Sequence, residues 1–360
     1  MRRLLLLLAL VAAGCGWSRD WDETRYLCPD GTCPPGQECR AGRCEPAGGE
    51  GAPPWWNEDY TLRRPLFIDN LAGAPLPAGM AIGWVTDLDD LVGINHQDIE
   101  IVRWSGGEWT ELARFSDGQP DTDETVWFEL DEELAIDRRD SRHWVYYGYV
   151  DSPAPAGMDP PDQFGFVLWD TFDAGAIDPA AWVTVGDITP AVDGIAIGPG
   201  AQLRTVATWA PGHAVDVKLN LAAPLSESFW LGFQRPDDDT EDDEPLALWT
   251  YRDGGGGAMT AEFWMSTTGE PRWSMPDVAV PGEDPEHTFT VARVTDGASY
   301  WHENEFRLRY QLPAGAEPNL DPIHVRIVNQ GSASLVVERI RVRPAVEPPP
   351  ALTLGPEDSL

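Results

Sequence analysis

The feature that most constrains this chain is a period-two alternation of apolar and polar residues, with almost no helical periodicity beside it. In Ala214-Val215-Asp216-Val217-Lys218-Leu219-Asn220-Leu221, the residues Val215, Val217, Leu219 and Leu221 fall on one face and polar groups on the other. Successive strand side chains point to opposite faces, so this pattern predicts a half-buried antiparallel strand. Similar runs recur at 229–233, 246–251, 259–265, 288–294, 306–312, 323–328 and 335–342. Strands of this number between about Phe164 and Pro344 predict a large β-sandwich or jelly roll.

A second β region precedes it, from Trp55 to about residue 155. Short apolar runs at 62–69, 99–104, 109–115, 126–130 and 143–150 are separated by turn residues. Ser105-Gly106-Gly107-Glu108 between two of them reads as a hairpin. A Pro-rich break at 152–161 closes the region. The fold class expected is therefore all-β, with two β-sandwich domains at 55–155 and 164–344. The stretch 345–360, with Glu347-Pro348-Pro349-Pro350, reads as a disordered tail.

The N-terminus carries a different signal. Met1-Arg2-Arg3 is followed by an apolar stretch from Leu4 to Ala13 and then by Ala12-Ala13-Gly14-Cys15. Ten or so apolar residues suit a secretory signal and are too few for a membrane-spanning helix. The small residues before Cys15 resemble the lipobox of bacterial lipoproteins, with Ala12 where that family prefers Leu. The resemblance implies a signal peptide over 1–14 and a mature chain whose first residue, Cys15, is acylated. Several acyl chains on one residue imply firm membrane anchoring, since each buried CH₂ contributes about 0.8 kcal/mol. Gly16, where an Asp would favour the inner membrane, implies the outer membrane or cell surface.

With Cys15 set aside, four cysteines remain: Cys28, Cys33, Cys39 and Cys44. They lie among Gly and Pro, in a stretch with few apolar residues. An exported segment of this kind needs covalent staples in place of a core, so two disulfides are expected. Three pairings are open, and zinc is the alternative. Residues 15–54 thus read as a lipidated, disulfide-rich segment that ends in the linker Ala47 to Pro54.

Two family resemblances become visible at this point. Residues 55–155 resemble the bacterial β-domain catalogued as domain of unknown function 2341. The matching pieces are Trp56-x3-Tyr60-x2-Arg63-Arg64-Pro65, Asp98-Ile99-Glu100-Ile101-Val102, Val126-Trp127-Phe128 and Trp144-Val145-Tyr146-Tyr147-Gly148. Residues 164–344 resemble a concanavalin A-like, laminin-G-type jelly roll, through Trp169-Asp170-Thr171-Phe172-Asp173, Phe229-Trp230-Leu231-Gly232-Phe233 and the run from Val337 to Pro344. The latter fold implies lectins, adhesion modules or glycanases, and so does not settle function.

Charge excludes some partners. The net charge is −35, and Lys218 is the only lysine. Such acidity argues against nucleic acid and against peripheral binding to anionic lipid. Catalysis would need two carboxylates across a glycosidic bond. Glu129-Leu130-Asp131-Glu132-Glu133 has the spacing of laminarinase-like enzymes, with Glu129 as nucleophile and Glu133 as acid. But Glu132 is charged where those enzymes bury an apolar residue, and the stretch lies outside the lectin-like region. No catalytic residue is therefore assigned. No cofactor is required; calcium is a candidate ion, with Asp237, Asp238, Asp239, Glu241 and Asp242 of the acidic run as ligands. Among 17 tryptophans, those near loops are candidates for stacking on sugar rings. They are Trp104, Trp109, Trp249, Tyr251, Trp264, Trp273, Tyr300 and Trp301. Arg339, Arg341 and Arg343 alternate on one strand face, suited to acidic glycans or to pairing with the chain's own acids. The expected protein is a non-catalytic, surface-anchored envelope lipoprotein that serves as a binding or adhesion module, with polysaccharide as a candidate ligand. The alternatives are a glycan hydrolase or a structural protein that binds only envelope proteins.

Overall fold

A computed structural model describes residues 37–40, 43–46, 53–86, 99–117, 124–149, 164–172, 176–221, 228–234, 246–251, 259–264, 273–279 and 286–360. The chain divides into two compact units, Met1–Trp55 and Trp56–Leu360. In the first, β1 (Gln37–Arg40) and β2 (Arg43–Pro46) form an antiparallel hairpin that sets Cys39 directly opposite Cys44. Cys15, Cys28 and Cys33 lie outside the described residues.

The second unit is all-β. Its first sandwich comprises β3 (Leu62–Asp69), β4 (Ala81–Thr86), β5 (Glu100–Ser105), β6 (Glu108–Glu111), β7 (Arg114–Asp117), β8 (Glu124–Glu129) and β9 (Arg139–Tyr147). Short strands follow: β10 (Leu168–Asp170), β11 (Trp182–Val185), β12 (Ile188–Ala191), β13 (Gly194–Ile197) and β14 (Gln202–Thr205). The longer strands of the second sandwich are β15 (His213–Asn220), β16 (Phe229–Gln234), β17 (Leu246–Tyr251), β18 (Met259–Trp264) and β19 (Trp273–Ala279). It continues with β20 (Glu286–Val294), β21 (Gly297–His302), β22 (Glu305–Gln311), β23 (His324–Asn329) and β24 (Leu335–Pro344). Last come β25 (Ala351–Leu354) and β26 (Asp358–Ser359).

In the second sandwich an eight-stranded sheet runs β12-β13-β24-β15-β20-β21-β22, with β10 also on β24. It faces a seven-stranded sheet ordered β11-β14-β23-β16-β17-β18-β19. Val215, Val217 and Leu219 of β15 point inward as their alternation requires, and meet Phe229, Leu231 and Phe233 of β16 in one buried cluster. Each apolar side chain of this size contributes about 1.5–3 kcal/mol when fully buried. In the first sandwich, β25-β3-β9-β5-β6, with β26 also on β3, faces β4-β8-β7. Ile99, Ile101 and Val145 there pack against Ile82, Val126 and Phe128.

The tail departs from its expected disorder. β25 pairs with β3 from Ala351↔Asp69 to Leu354↔Leu66, and β26 places Asp358 opposite Arg63. Arg63 donates to Asp358 from Nε at 3.1 Å and from Nη2 at 2.9 Å. The proline run at 348–350 and the four-residue length of β25 concealed this, because β3, some 280 residues away in the chain, supplies the ladder partners and the core. Leu352 and Leu354 pack against the first sandwich's core. The second domain is thus followed by a strand that returns to the first.

The two sandwiches also meet through polar faces. Asp216 lies between Thr290 and Arg341 across three adjacent strands, on the outer side of the eight-stranded sheet. Thr290 Oγ1 donates to its Oδ1 at 2.6 Å; Arg341 Nε and Arg343 Nε donate to Oδ2 at 2.6 and 3.0 Å. The Arg341 guanidinium sits 4.3 Å from the ring centre of Trp127 on β8 of the first sandwich. Beside it Phe115, Trp127 and Phe164 form an aromatic cluster, with Phe166 and Trp169 against it. Gly83, opposite Trp127, leaves room for the indole: a Cβ there would lie 2.8 Å from the ring.

Burial alone would raise the Asp216 carboxyl, but Arg343, Arg341 and the Thr290 hydroxyl hold it below the usual carboxylate range. A native pKa below the unfolded value of about 3.9 adds stability that is complete above roughly pH 4 and is lost as pH falls toward the native value. Asp216→Ala leaves Arg341 buried without its carboxylate and is expected to cost about 3–5 kcal/mol. Urea unfolding at pH 7 measures this loss. Asp216→Asn should in addition flatten the acid limb of the stability curve below pH 4.

Candidate functional site

The outer face of the β3-β9-β5-β6 sheet carries a cluster of partly exposed aromatic rings. Parity explains it. Ile101 and Val145 point into the core, so Val102, Trp104, Trp144 and Tyr146, next to them in sequence, point out. The two-residue turn Gly106-Gly107, both at positive φ (63° and 88°), brings Trp109 opposite Trp104. This glycine pair supplies the left-handed backbone that a tight hairpin needs. The Trp104 and Trp109 ring centres are 4.9 Å apart. Trp109 also lies 6.5 Å from Trp144 and 5.9 Å from Tyr146, both edge-on. Its ring therefore reaches across β5, and Val102 below is fully buried. Trp56 joins from the other side, 5.6 Å from Tyr146.

Trp56, Trp104, Trp109 and Trp144 all remain partly exposed. Tyr146 is buried and accepts from Arg63 Nη1 at 3.0 Å. The Arg63 guanidinium stacks 4.7 Å from the centre of Trp144. The rim is charged. Arg114 holds Glu100 with two bonds, at 2.8 and 2.5 Å. Arg103 has the inward parity of Ile101 and leaves the rim; it bridges Asp131 at 2.9 Å and Glu132 at 2.8 Å beyond the end of β8. Burial, helped by Glu100 and opposed by Arg114, raises the Glu111 carboxyl on the same edge. Such a surface offers fixed apolar rings between paired charges.

Of the stacking residues expected from the sequence, Trp104 and Trp109 lie in this cluster and the others lie elsewhere. Trp249 is fully buried in the second sandwich's core, where its Nε1 donates to Thr290 O at 3.0 Å. Tyr251 is buried beside Phe229, with ring centres 5.6 Å apart. Both sit on the inward parity of β17, which proximity to a loop did not reveal. Tyr300 is likewise buried, its hydroxyl donating to Glu262 O at 2.6 Å. Trp301 keeps part of its ring open and lines a crevice of about 150 Å³ between the sandwiches, with Thr290, Asn304 and Pro349. The backbones of Trp264 and Trp273 lie in β18 and β19; their side chains, and Asp237, Asp238, Asp239, Glu241 and Asp242, are outside the described residues.

The acidic strand-like stretch does not assemble as a carboxylate pair. β8 ends at Glu129, whose Oε1 accepts from the Gly165 amide. Asp131 and Glu132 are engaged with Arg103, and Glu133 is exposed in the following bend. Arg341 and Arg343 are taken up by Asp216, and Arg339 stacks 5.4 Å from Trp169. The run of three arginines therefore does not form an anion-binding row.

Two arrangements had no sequence signal, because their members are far apart in the chain. Glu262 is buried on the outer side of the seven-stranded sheet and accepts from Thr250 Oγ1 at 3.0 Å. His287, His302 and Glu303 converge at one end of the eight-stranded sheet. Burial, partly offset by Glu303 and reinforced by His287, depresses His302 to about 4.

No family model matches the chain, and no curated protein matches it in sequence. The resemblance of residues 55–155 to domain of unknown function 2341 expected from the sequence is therefore not matched by a family model. Solved structures match about half of the chain. An endo-acting O-glycanase of the human gut microbiota that initiates mucin breakdown is 12% identical, with a TM-score of 0.40 over 50% of this chain and 99% of that one. The apo form of the Crh5 transglycosylase is 13% identical, at 0.39 over 49% and 84%. A pseudo beta-1,3-glucanase and immunostimulatory antigen of Mycobacterium tuberculosis is 14% identical, at 0.37 over 50% and 99%. The second sandwich is itself a pair of antiparallel sheets of eight and seven strands.

The difference between inward and outward aromatics is measurable. Trp249→Ala empties a packed core and should cost about 3–5 kcal/mol of unfolding free energy. Trp104→Ala loses one ring pair at a partly open surface and should cost no more than about 1.5 kcal/mol. Denaturant unfolding of the two variants checks both.

Proposed function

We propose that this protein is a non-catalytic, polysaccharide-binding lipoprotein of the bacterial envelope, held to the outer membrane or cell surface through Cys15. The observation that supports the reading is the cluster of partly exposed Trp104, Trp109 and Trp144 on a rigid sheet. Sugar rings present C–H faces that lose little on leaving water and pack well on indole. A sheet holds the indoles in place before the ligand arrives, so little ordering entropy opposes binding. The hydrogen-bonding rim of Arg63, Glu100 and Glu111 suits hydroxyl groups. Arg63 and Arg114 are each neutralised by an acid, and the chain carries a net charge of −35. Both facts disfavour anionic glycans by repulsion and favour neutral ones.

Affinity electrophoresis and calorimetry on a panel of neutral and acidic polysaccharides test the proposal. Trp104→Ala, which leaves the core intact, should weaken binding of a neutral polysaccharide by roughly 30-fold, the loss of one aromatic anchor. Unchanged affinity in Trp104→Ala and Trp144→Ala together would refute it. So would release of reducing ends from the bound polymer, which would make the protein a hydrolase.

Anchoring is tested separately. Cys15→Ser should abolish incorporation of labelled palmitate in an expressing bacterium and release the chain from the membrane fraction. Label retained in that variant would place the lipid elsewhere.

A further inference from the structure

We propose that His287, His302 and Glu303 form a binding site for a zinc-class divalent cation. The three donor atoms make a nearly equilateral triangle. His287 Nδ1 lies 3.1 Å from Glu303 Oε1 and 3.3 Å from His302 Nε2, and His302 Nε2 lies 3.4 Å from Glu303 Oε1. For metal–ligand distances of about 2.0–2.1 Å, the edge of a regular tetrahedron is about 3.3–3.4 Å. The side chains therefore already describe one face of a zinc coordination shell. A fourth position is left for water or an outside ligand.

The backbone explains the convergence. β20 and β21 are antiparallel neighbours with Phe289 opposite His302, so His287 lies on the same face, two residues along β20. Both imidazoles are nearly buried, and the Phe289 ring stacks on His302 at 4.8 Å. Glu303 and Asn304 form the two-residue turn between β21 and β22, at φ 51° and 60°. That turn folds the Glu303 carboxylate back over the strand ends. The Thr288 amide donates to the same Oε1 at 3.0 Å, and Asn304 Nδ2 donates to Thr125 Oγ1 of the first sandwich at 3.2 Å. The site is therefore held by packing from below and by the junction from the side.

Protons do not satisfy this triangle. If both neutral imidazoles donate to Glu303, their nitrogens are two donors 3.3 Å apart with no hydrogen bond between them. If His302 donates to His287 instead, the contact between His287 and Glu303 has no hydrogen. A cation at the centre satisfies all three contacts at once. Two nitrogen donors and one carboxylate suit zinc, cobalt or nickel and disfavour calcium, which takes oxygen ligands. Metal on His302 Nε2 leaves the proton on Nδ1, which Arg307 approaches at 3.5 Å. Arg307 is also paired with Glu305 at 2.6 Å, on the exposed strand β22, and has room to withdraw.

Equilibrium dialysis of the purified chain against zinc chloride, with iodoacetamide-blocked thiols to remove binding by cysteine, provides the test. One zinc per chain at micromolar or lower free metal is expected. Glu303→Gln lies in an exposed turn and should fold normally; it and His302→Gln should each weaken binding by about 100-fold or more. Cobalt should give the visible absorption of a tetrahedral nitrogen–oxygen site, lost in both variants. No stoichiometric zinc in the wild type would overturn the proposal, as would binding unchanged in Glu303→Gln.

Discussion

Asp216 occupies a position where several levels of the structure depend on one carboxylate. It is the polar member of the most regular alternation in the chain, so the parity that buries Val215 and Val217 sends it outward. Outward, in this molecule, means into the other sandwich. Two guanidiniums and a hydroxyl surround it, and Arg341 in turn lies against Trp127. Buried charge of this kind is costly unless every partner is present. The junction therefore exists only with both sandwiches folded and β8, β15, β20 and β24 in register. The return of β25 and β26 to β3 adds a second tie between the halves.

This coupling sorts the aromatic side chains into three groups. Those on inward parity, such as Trp249 and Tyr251, fill the broad space between two sheets. Those on outward parity at the junction, such as Trp127, are covered by the neighbouring sandwich. Those on outward parity away from it, Trp104, Trp109 and Trp144, keep part of their surface toward solvent. Loop proximity is a poor guide to the first group, because a strand alternates to its last residue. The third group owes its openness to the place where the second sandwich packs. That sandwich covers the β4-β8 side and leaves the β5-β9 side uncovered.

The His287–His302–Glu303 triangle follows the same logic at shorter range. His287 and His302 occupy core-facing positions at strand ends, where the sandwich opens and ionisable groups reach the rim. Fifteen residues separate them, with no spacing familiar from zinc motifs. The antiparallel pairing of β20 with β21 closes that gap, and the left-handed turn at Glu303 completes it. Glu262 was hidden for the same reason. Its partner Thr250 lies on the adjacent strand, 12 residues away.

Local physics fixed by residue type made much of the fold readable. Period-two alternation declares strands wherever one face is buried and the other is wet, as in β15, and Gly-Gly or Pro-rich interruptions declare where strands end. The all-β class, the two sandwiches and the hairpin at Gly106-Gly107 were therefore determined by the sequence. Only the tertiary structure decided which outward faces stay outward. β25 is only four residues long, follows a proline run, and becomes a strand because β3 offers an open edge. Arg341 and Arg343 look like a solvated polar row and become the partners of Asp216 because the first sandwich removes water from them. Alternation specifies a side of a sheet; what covers that side depends on contacts between residues a hundred or more positions apart, and no local pattern encodes those.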